Sequence, residues 1–169
     1  MPITIGTHLG SHEITALHGK GGMGEVYRAR ETKLKRERGI KILPEEFSRD
    51  ADRVGRFQRE VDVLASLNHP NIAGIYDLQE ANSYPYLVLE LVEGKTLADR
   101  IARGASPVEH SLKIARSICK AIEAAHEKDI VHRDLKPANV KLSAPRHLLF
   151  THNNSRMAQK VNPFYECVP

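Results

Sequence analysis

Ile130-Val131-His132-Arg133-Asp134-Leu135-Lys136-Pro137-Ala138-Asn139-Val140 decides how this chain is read. Asp, Lys and Asn stand at 134, 136 and 139 between apolar, strand-like ends. A short polar loop between such ends suits a loop clamped in a cleft. There Asp134 can accept a proton from a hydroxyl. Lys136 can hold a phosphate, and Asn139 can offer a carbonyl oxygen to a metal.

Composition bounds what that loop can serve. The 169 residues are enough for one domain or two small lobes with a real core. A hydrophobic content of 41% and a charged content of 27% are ordinary for a globular protein. The net charge of +4 comes from basic residues dispersed among glutamates. This argues against a nucleic-acid partner and for a small anion such as a nucleotide. Cys119 and Cys167 lack metal-type spacing and read as free thiols in a reducing, cytoplasmic setting. No run of 18 apolar residues spans a membrane, and residues 1–10 lack the pattern of a secretion signal.

Upstream, residues 1–12 read as a polar leader. Glu13 to His18 alternates as a strand does. Gly19-Lys20-Gly21-Gly22-Met23-Gly24-Glu25-Val26 then fits G-x-G-x-x-G-x-V, with Gly19, Gly21, Gly24 and Val26 in place. Glycines let a backbone approach phosphates with no Cβ in the way. A glycine cluster also makes a plain hairpin turn, and a dinucleotide fingerprint shares the spacing but opens a helix. Here Val26 to Arg30 reads as a second strand. Arg38 to Leu43 is a third and carries Lys41, which is either a phosphate contact or a solvated side chain. Arg38 in an apolar strand must snorkel or pair, and Gly39 weakens the strand.

Pro44, Glu45 and Glu46 lead into a helix whose stripe is Val54, Phe57, Val61, Leu64 and Leu67. Glu60 shares that inward face and needs a partner there, or else is a half-exposed surface charge. Ile72 to Asp77 and Tyr84 to Leu91 read as further strands. Thr96 to Arg103 is a short helix stopped by Gly104. Ser106 and Pro107 look like N-cap and first turn of a long helix with the apolar face Val108, Leu112, Ala115, Ile118, Ile122 and Ala125.

Taken in order, the glycine loop, Lys41, Glu60 and the His132–Asn139 loop resemble the protein kinase family. More narrowly, they resemble a eukaryotic-like bacterial serine/threonine kinase. The resemblance implies an α+β, protein-kinase-like fold. A five-stranded antiparallel small lobe with one helix would cover residues 13–92. The first helices and the catalytic loop of the large lobe would cover 93–142, and 143–169 would be an irregular tail. It implies ATP and Mg²⁺ as cofactors and a protein hydroxyl as acceptor. Gly19, Gly21, Gly24 and Val26 would cover the nucleotide, and Lys41 paired with Glu60 would orient its phosphates. The backbone of Glu90 and Val92 would hold the adenine edge, with Leu89 at the back of the pocket. Asp134 would be the catalytic base, Lys136 would hold the transferred phosphate, as in the serine/threonine subclass, and Asn139 would ligate metal.

The likeness stops after Leu142. The family continues with a strand and an Asp-Phe-Gly whose Asp binds Mg²⁺. No Asp follows Asp134 here, no Gly follows Gly104, and Glu166 is the only acidic residue from 143 to 169. The resemblance then implies a C-terminally truncated kinase with an incomplete metal site and impaired transfer. Its alternatives are a nucleotide-binding pseudokinase and a fragment with no independent function. Without later helices, the long helix would expose apolar surface and invite association.

Overall fold

The computed structural model describes residues 3–21, 24–43, 51–81, 84–143 and 149–150. The tip of the glycine loop, the lead-in at Pro44 to Glu46 and most of the tail lie outside these. The chain divides into two compact units, residues 1–68 with 73–93, and residues 69–72 with 94–169.

The first unit is built on an antiparallel sheet. Its strands are β1 (His8–Leu9), β2 (His12–Gly21), β3 (Gly24–Glu31), β4 (Glu37–Ile42), β5 (Ile75–Ala81) and β6 (Tyr84–Leu89). Their spatial order is β1-β2-β3-β4-β6-β5. The sheet therefore has six strands rather than five, and the extra one comes from the segment expected to be a leader. Gly10 makes this turn, because its φ of +56° is open to glycine. The turn folds His8–Leu9 back onto His12–Glu13. Leu9 is then 1% exposed, packed with Ile14, Tyr27, Ala29, Ile40, Tyr86 and Val88. Apolar contact and a hydrogen bond from the Tyr86 hydroxyl to the Leu9 carbonyl (3.1 Å) hold it there.

Arg38 meets the requirement set by its apolar strand. It stands opposite Ala29. Its guanidinium lies 3.6 Å from the Glu31 carboxylate and 4.3 Å from the centre of the Tyr76 ring. An ion pair and a cation–π contact together offset its desolvation. Removing the carboxylate would leave a largely buried cation. Glu31→Gln is therefore expected to destabilise the fold by about 1–2 kcal/mol. The check is a lower urea midpoint at unchanged slope. Gly39 costs less than its type suggests. A Cβ there would meet Leu89 at an ordinary 3.5 Å.

Helix α1 (Ala51–Ala65) lies beside β5. Val61, Leu64 and the following Leu67 are buried, as the stripe predicts.

In the second unit a small sheet runs β7-β8-β9, from Lys95–Thr96, Val140–Leu142 and Leu149–Phe150. Strand β9 falls inside the segment expected to be irregular. It pairs with β8 through Val140 opposite Phe150 and Lys141 opposite Leu149. The sequence after it reads Thr151-His152-Asn153-Asn154. Helix α2 (Leu97–Ile101) opens on a reciprocal cap. Asp99 N–H donates to the Thr96 hydroxyl (3.0 Å), and Thr96 N–H donates to the Asp99 carboxylate (2.9 Å).

Helix α3 (Val108–His126) starts later than expected. Pro107 is extended, with ψ of 140°, and is itself the N-cap, so Ser106 makes no cap. The helix also buries a different line of residues. Ile114 and Ala121 are buried, whereas Val108 and Leu112 are 75% and 64% exposed. Of the expected apolar face, Val108, Leu112 and Ala115 are exposed, and Ile118, Ile122 and Ala125 are half-buried.

Candidate active site

The site residues fall in both units, and each set is described on its own unit. In the first, pairing in the sheet decides which residues meet. Gly19 stands opposite Val26, Val26 opposite Lys41, and Lys41 opposite Leu87. Directly paired residues share a face. Glycine loop, valine and lysine therefore form one row across three strands. Two residues along, Arg28, Gly39 and Leu89 form the next row on the same face. Gly21 stands opposite Gly24 at the end of the β2–β3 hairpin. Gly19 is exposed, with nothing within 4 Å of where a Cβ would be. The backbone is bare where a phosphate chain would lie.

Lys41 is 3% exposed. Burial lowers its pKa to about 8. Among the described residues no ion pair joins Lys41 to Glu60, and burial alone accounts for the shift. Glu60 is half-buried on α1 and is not without a partner. A buried ammonium held by apolar neighbours is a strong site for an anion.

Glu90 and Val92 follow β6. The Glu90 N–H donates to the Gly74 carbonyl (2.8 Å), and its carboxylate accepts the Gly74 N–H (3.1 Å). Val92 is 4% exposed. This segment is held by a two-way clamp that sequence reasoning did not foresee. Arg28 was also missed. It pairs with Glu37 (3.5 Å) and with Glu93, just past Val92. Its place opposite Gly39 in a strand pattern was the available signal.

In the second unit the loop after α3 is set by two unusual backbones. Asp129 takes φ of +58°. Asp129 N–H then donates to His126 O, and Ile130 N–H donates to Ala125 O, closing the helix in a Schellman arrangement. This drops Ile130, 3% exposed, into the core. Arg133 has φ of +55°, and Asp134 N–H donates to the His132 carbonyl across it at 2.7 Å. Such a tight turn is strained in a non-glycine residue, and strain of this kind is held where packing over-determines it.

The strained turn presents Asp134 to its partners. Lys136 Nζ lies 2.8 Å from Asp134 Oδ2. Asn139, 1% exposed, donates from Nδ2 to the Asp134 carbonyl (2.9 Å) and to Oδ2 (3.1 Å). Asp134, Lys136 and Asn139 are therefore brought together as predicted. The Lys136 hydrogen bond, helped by Asn139, holds the Asp134 carboxyl below the usual carboxylate range. It stays ionised at neutral pH, as an acceptor for a hydroxyl proton must. Burial keeps the His132 pKa low, so that ring is neutral there.

The residues fit the two expected cofactors unequally. A nucleotide suits the first unit, where an open glycine backbone, an apolar row and a buried lysine share one face. A magnesium ion takes a near-octahedral set of oxygens. Asn139 can give one, and both Asp134 oxygens are already engaged by Lys136 or Asn139. Among the described residues no group of three or more His, Cys, Asp or Glu side chains could hold a metal. These residues alone do not make a magnesium site.

Comparison with known proteins places this geometry. Residues 12–151 match the protein kinase domain. The chain is 38% identical over 148 residues to the serine/threonine-protein kinase PknB of Mycobacterium leprae, covering 84% of this chain and 24% of that protein. It is 44% identical over 132 residues to PrkC of Bacillus subtilis, covering 78% and 20%. The crystal structure of the Mycobacterium tuberculosis PknI kinase domain superposes with a TM-score of 0.74 at 27% identity, covering 88% of this chain and 62% of that one. The chain belongs to the protein kinase family, and its relatives there are bacterial serine/threonine kinases. It spans between a fifth and a quarter of the length of those curated relatives. Protein kinases use ATP and Mg²⁺ and transfer phosphate to protein hydroxyls. Among the described residues no helix is long and apolar enough to cross a membrane.

Proposed function

We propose that this chain binds ATP through its first unit and carries the serine/threonine kinase catalytic loop in its second, with phosphate transfer impaired by an incomplete metal site. The observation that carries the reading is the row Gly19–Val26–Lys41, with the lysine buried. Gly19, Gly21 and Gly24 would let the backbone cover the phosphates. Lys41 would neutralise them, and Val26 would pack against the base. The backbone of Glu90 and Val92 would hold the adenine edge. Asp134 would orient a serine or threonine hydroxyl of a protein substrate and take its proton, and Lys136 would steady the moving phosphate. Asn139 would position Asp134. The exposed thiol of Cys119 is in keeping with a cytoplasmic setting.

A second reading, a nucleotide-binding pseudokinase, is favoured by the absence of any Asp after Asp134. Loss of one preorganised electrostatic group typically costs about 10²–10³ in rate. Two measurements separate the readings. ATP is expected to raise the melting temperature by about 2–5 °C at saturating concentration. Lys41→Ala should lose the shift. No shift in the parent would sink nucleotide binding. Weak transfer of labelled phosphate to a generic protein substrate, abolished in Asp134→Asn, would show residual kinase activity. Equal label in both leaves the pseudokinase.

A further inference from the structure

Residues 90–93 carry the backbone assigned above to the adenine edge, yet they belong to no strand or helix. No ladder runs along them, so their place depends on ties to other elements. Such ties are present at both ends. Gly74 holds Glu90 through its carbonyl (2.8 Å) and its N–H (3.1 Å). Arg28 holds Glu93 through an ion pair between its guanidinium and the Glu93 carboxylate. Leu91 and Val92 lie between the two.

Arg28 is itself well anchored. It lies on β3, two residues past Val26 and on the same face. Gly39 stands opposite it and puts no side chain between Arg28 and Leu89, the last residue of β6. A second carboxylate, Glu37 on β4, steadies the guanidinium at 3.5 Å. The Thr15 hydroxyl donates to the Arg28 carbonyl (3.2 Å). A planar fork already held on one side loses less freedom when it takes a second partner. That distinguishes this pair from an isolated surface bridge, which contributes little.

We propose that Arg28 is a positioning residue for nucleotide binding, holding the 90–93 span in register with the row that carries Val26 and Lys41. The inference rests on the ATP reading above. Arg28 acts on the base through the backbone of the span, whereas Lys41 and the glycine loop act on the phosphates. Its loss therefore weakens ligands that carry adenine and spares one that carries phosphates alone.

The test measures binding of ATP, adenosine and inorganic tripolyphosphate to the 169-residue chain by calorimetry. Glu93→Gln removes one carboxylate and leaves Arg28 with Glu37. Arg28→Met keeps an apolar stem and removes the charge. Each is expected to weaken ATP and adenosine about three- to fivefold and to leave tripolyphosphate unchanged. The double variant should be no worse than either single one, because both remove the same tie. Unchanged adenosine binding, equal weakening of adenosine and tripolyphosphate, or additive losses in the double variant overturn the proposal. Hydrogen exchange on the ligand-free chain reads the tie without any nucleotide. The amides of Leu91, Val92 and Glu93 should exchange about three- to fivefold faster in both variants. A parent that binds neither ATP nor adenosine sinks the nucleotide reading, and exchange unchanged in both variants sinks the tie.

Discussion

Gly94→Ala is expected to destabilise the catalytic-loop unit by about 3–5 kcal/mol, near the whole stability of a small domain. Two costs add. Gly94 has φ of +114°, outside the range an L side chain occupies without strain. A Cβ there would also lie 2.2 Å from the carbonyl oxygen of Leu142, well inside contact distance. That oxygen is backbone, so it cannot swing away as a side chain would. Lys95 pairs with Leu142 next door, so the strand must part. Val140 opens that strand and Asn139 directly precedes it, and Asn139 is what holds Asp134. The loop should lose its order with the strand. Hydrogen exchange reads this. Amides at 140–142 should lose protection in Gly94→Ala. Gly104→Ala is the control, since Gly104 also has positive φ, +105°, but nothing within 4 Å of its missing Cβ. It should cost only the torsional strain, about 1–2 kcal/mol. Similar losses in the two variants would refute the close approach.

Lys41 should make the stability of the first unit rise with pH. Its pKa falls from 10.5 unfolded to about 8 folded, because burial disfavours the charged form. Between those values the unfolded chain binds more protons, so stability increases as pH rises through the window. Below about 8 the burial penalty is present in full, and it is progressively relieved toward 10.5. A shift of this size corresponds to about 3 kcal/mol in total. Tyr27 acts with the opposite sign. Burial, with its bond to Glu25, pushes its pKa up to about 12, so it lowers stability once the unfolded phenol ionises above 10. The comparison therefore belongs between pH 7 and about 9.5. There the urea midpoint of the parent should climb, and that of Lys41→Met should be flat and higher at pH 7. A flat profile in the parent would mean that Lys41 is not buried as a cation. ATP adds a second reading. Its phosphates should return the proton to Lys41, so binding at pH 8.5 should take up protons. Calorimetry in two buffers of different ionisation enthalpy measures this.

Much of the architecture was legible in the chain. The period-two runs placed β2, β3, β4 and β6, and the three-and-four stripe of Val61, Leu64 and Leu67 placed α1. Asp134, Lys136 and Asn139 could be assigned together because they share one loop, where spacing fixes proximity. What spacing could not supply was anything dependent on a remote partner. His8–Leu9 became a strand because Tyr86 and Ile14 lie across from it. Arg38 was tolerable only because Glu31 and Tyr76 flank it, the latter 38 residues on. The clamp on Asp134 turned on a strained Arg133 that carries no compositional sign.

Lys41, Glu60 and α3 mark the boundary most sharply. Residue types and order alone determined the kinase family, the glycine-loop motif and the place of Lys41 in a strand, the loop chemistry and the absence of any Asp after Asp134. These are local or periodic, so the covalent chain encodes them directly. Only the tertiary structure decided that Lys41 is buried without Glu60, that Gly94 must be bare beside Leu142, and that α3 turns Ile114 and Ala121 inward while Val108 and Leu112 face out. An amphipathic pattern names an apolar stripe. Which stripe is buried depends on what packs against it, and in α3, which has two, the neighbours made the choice.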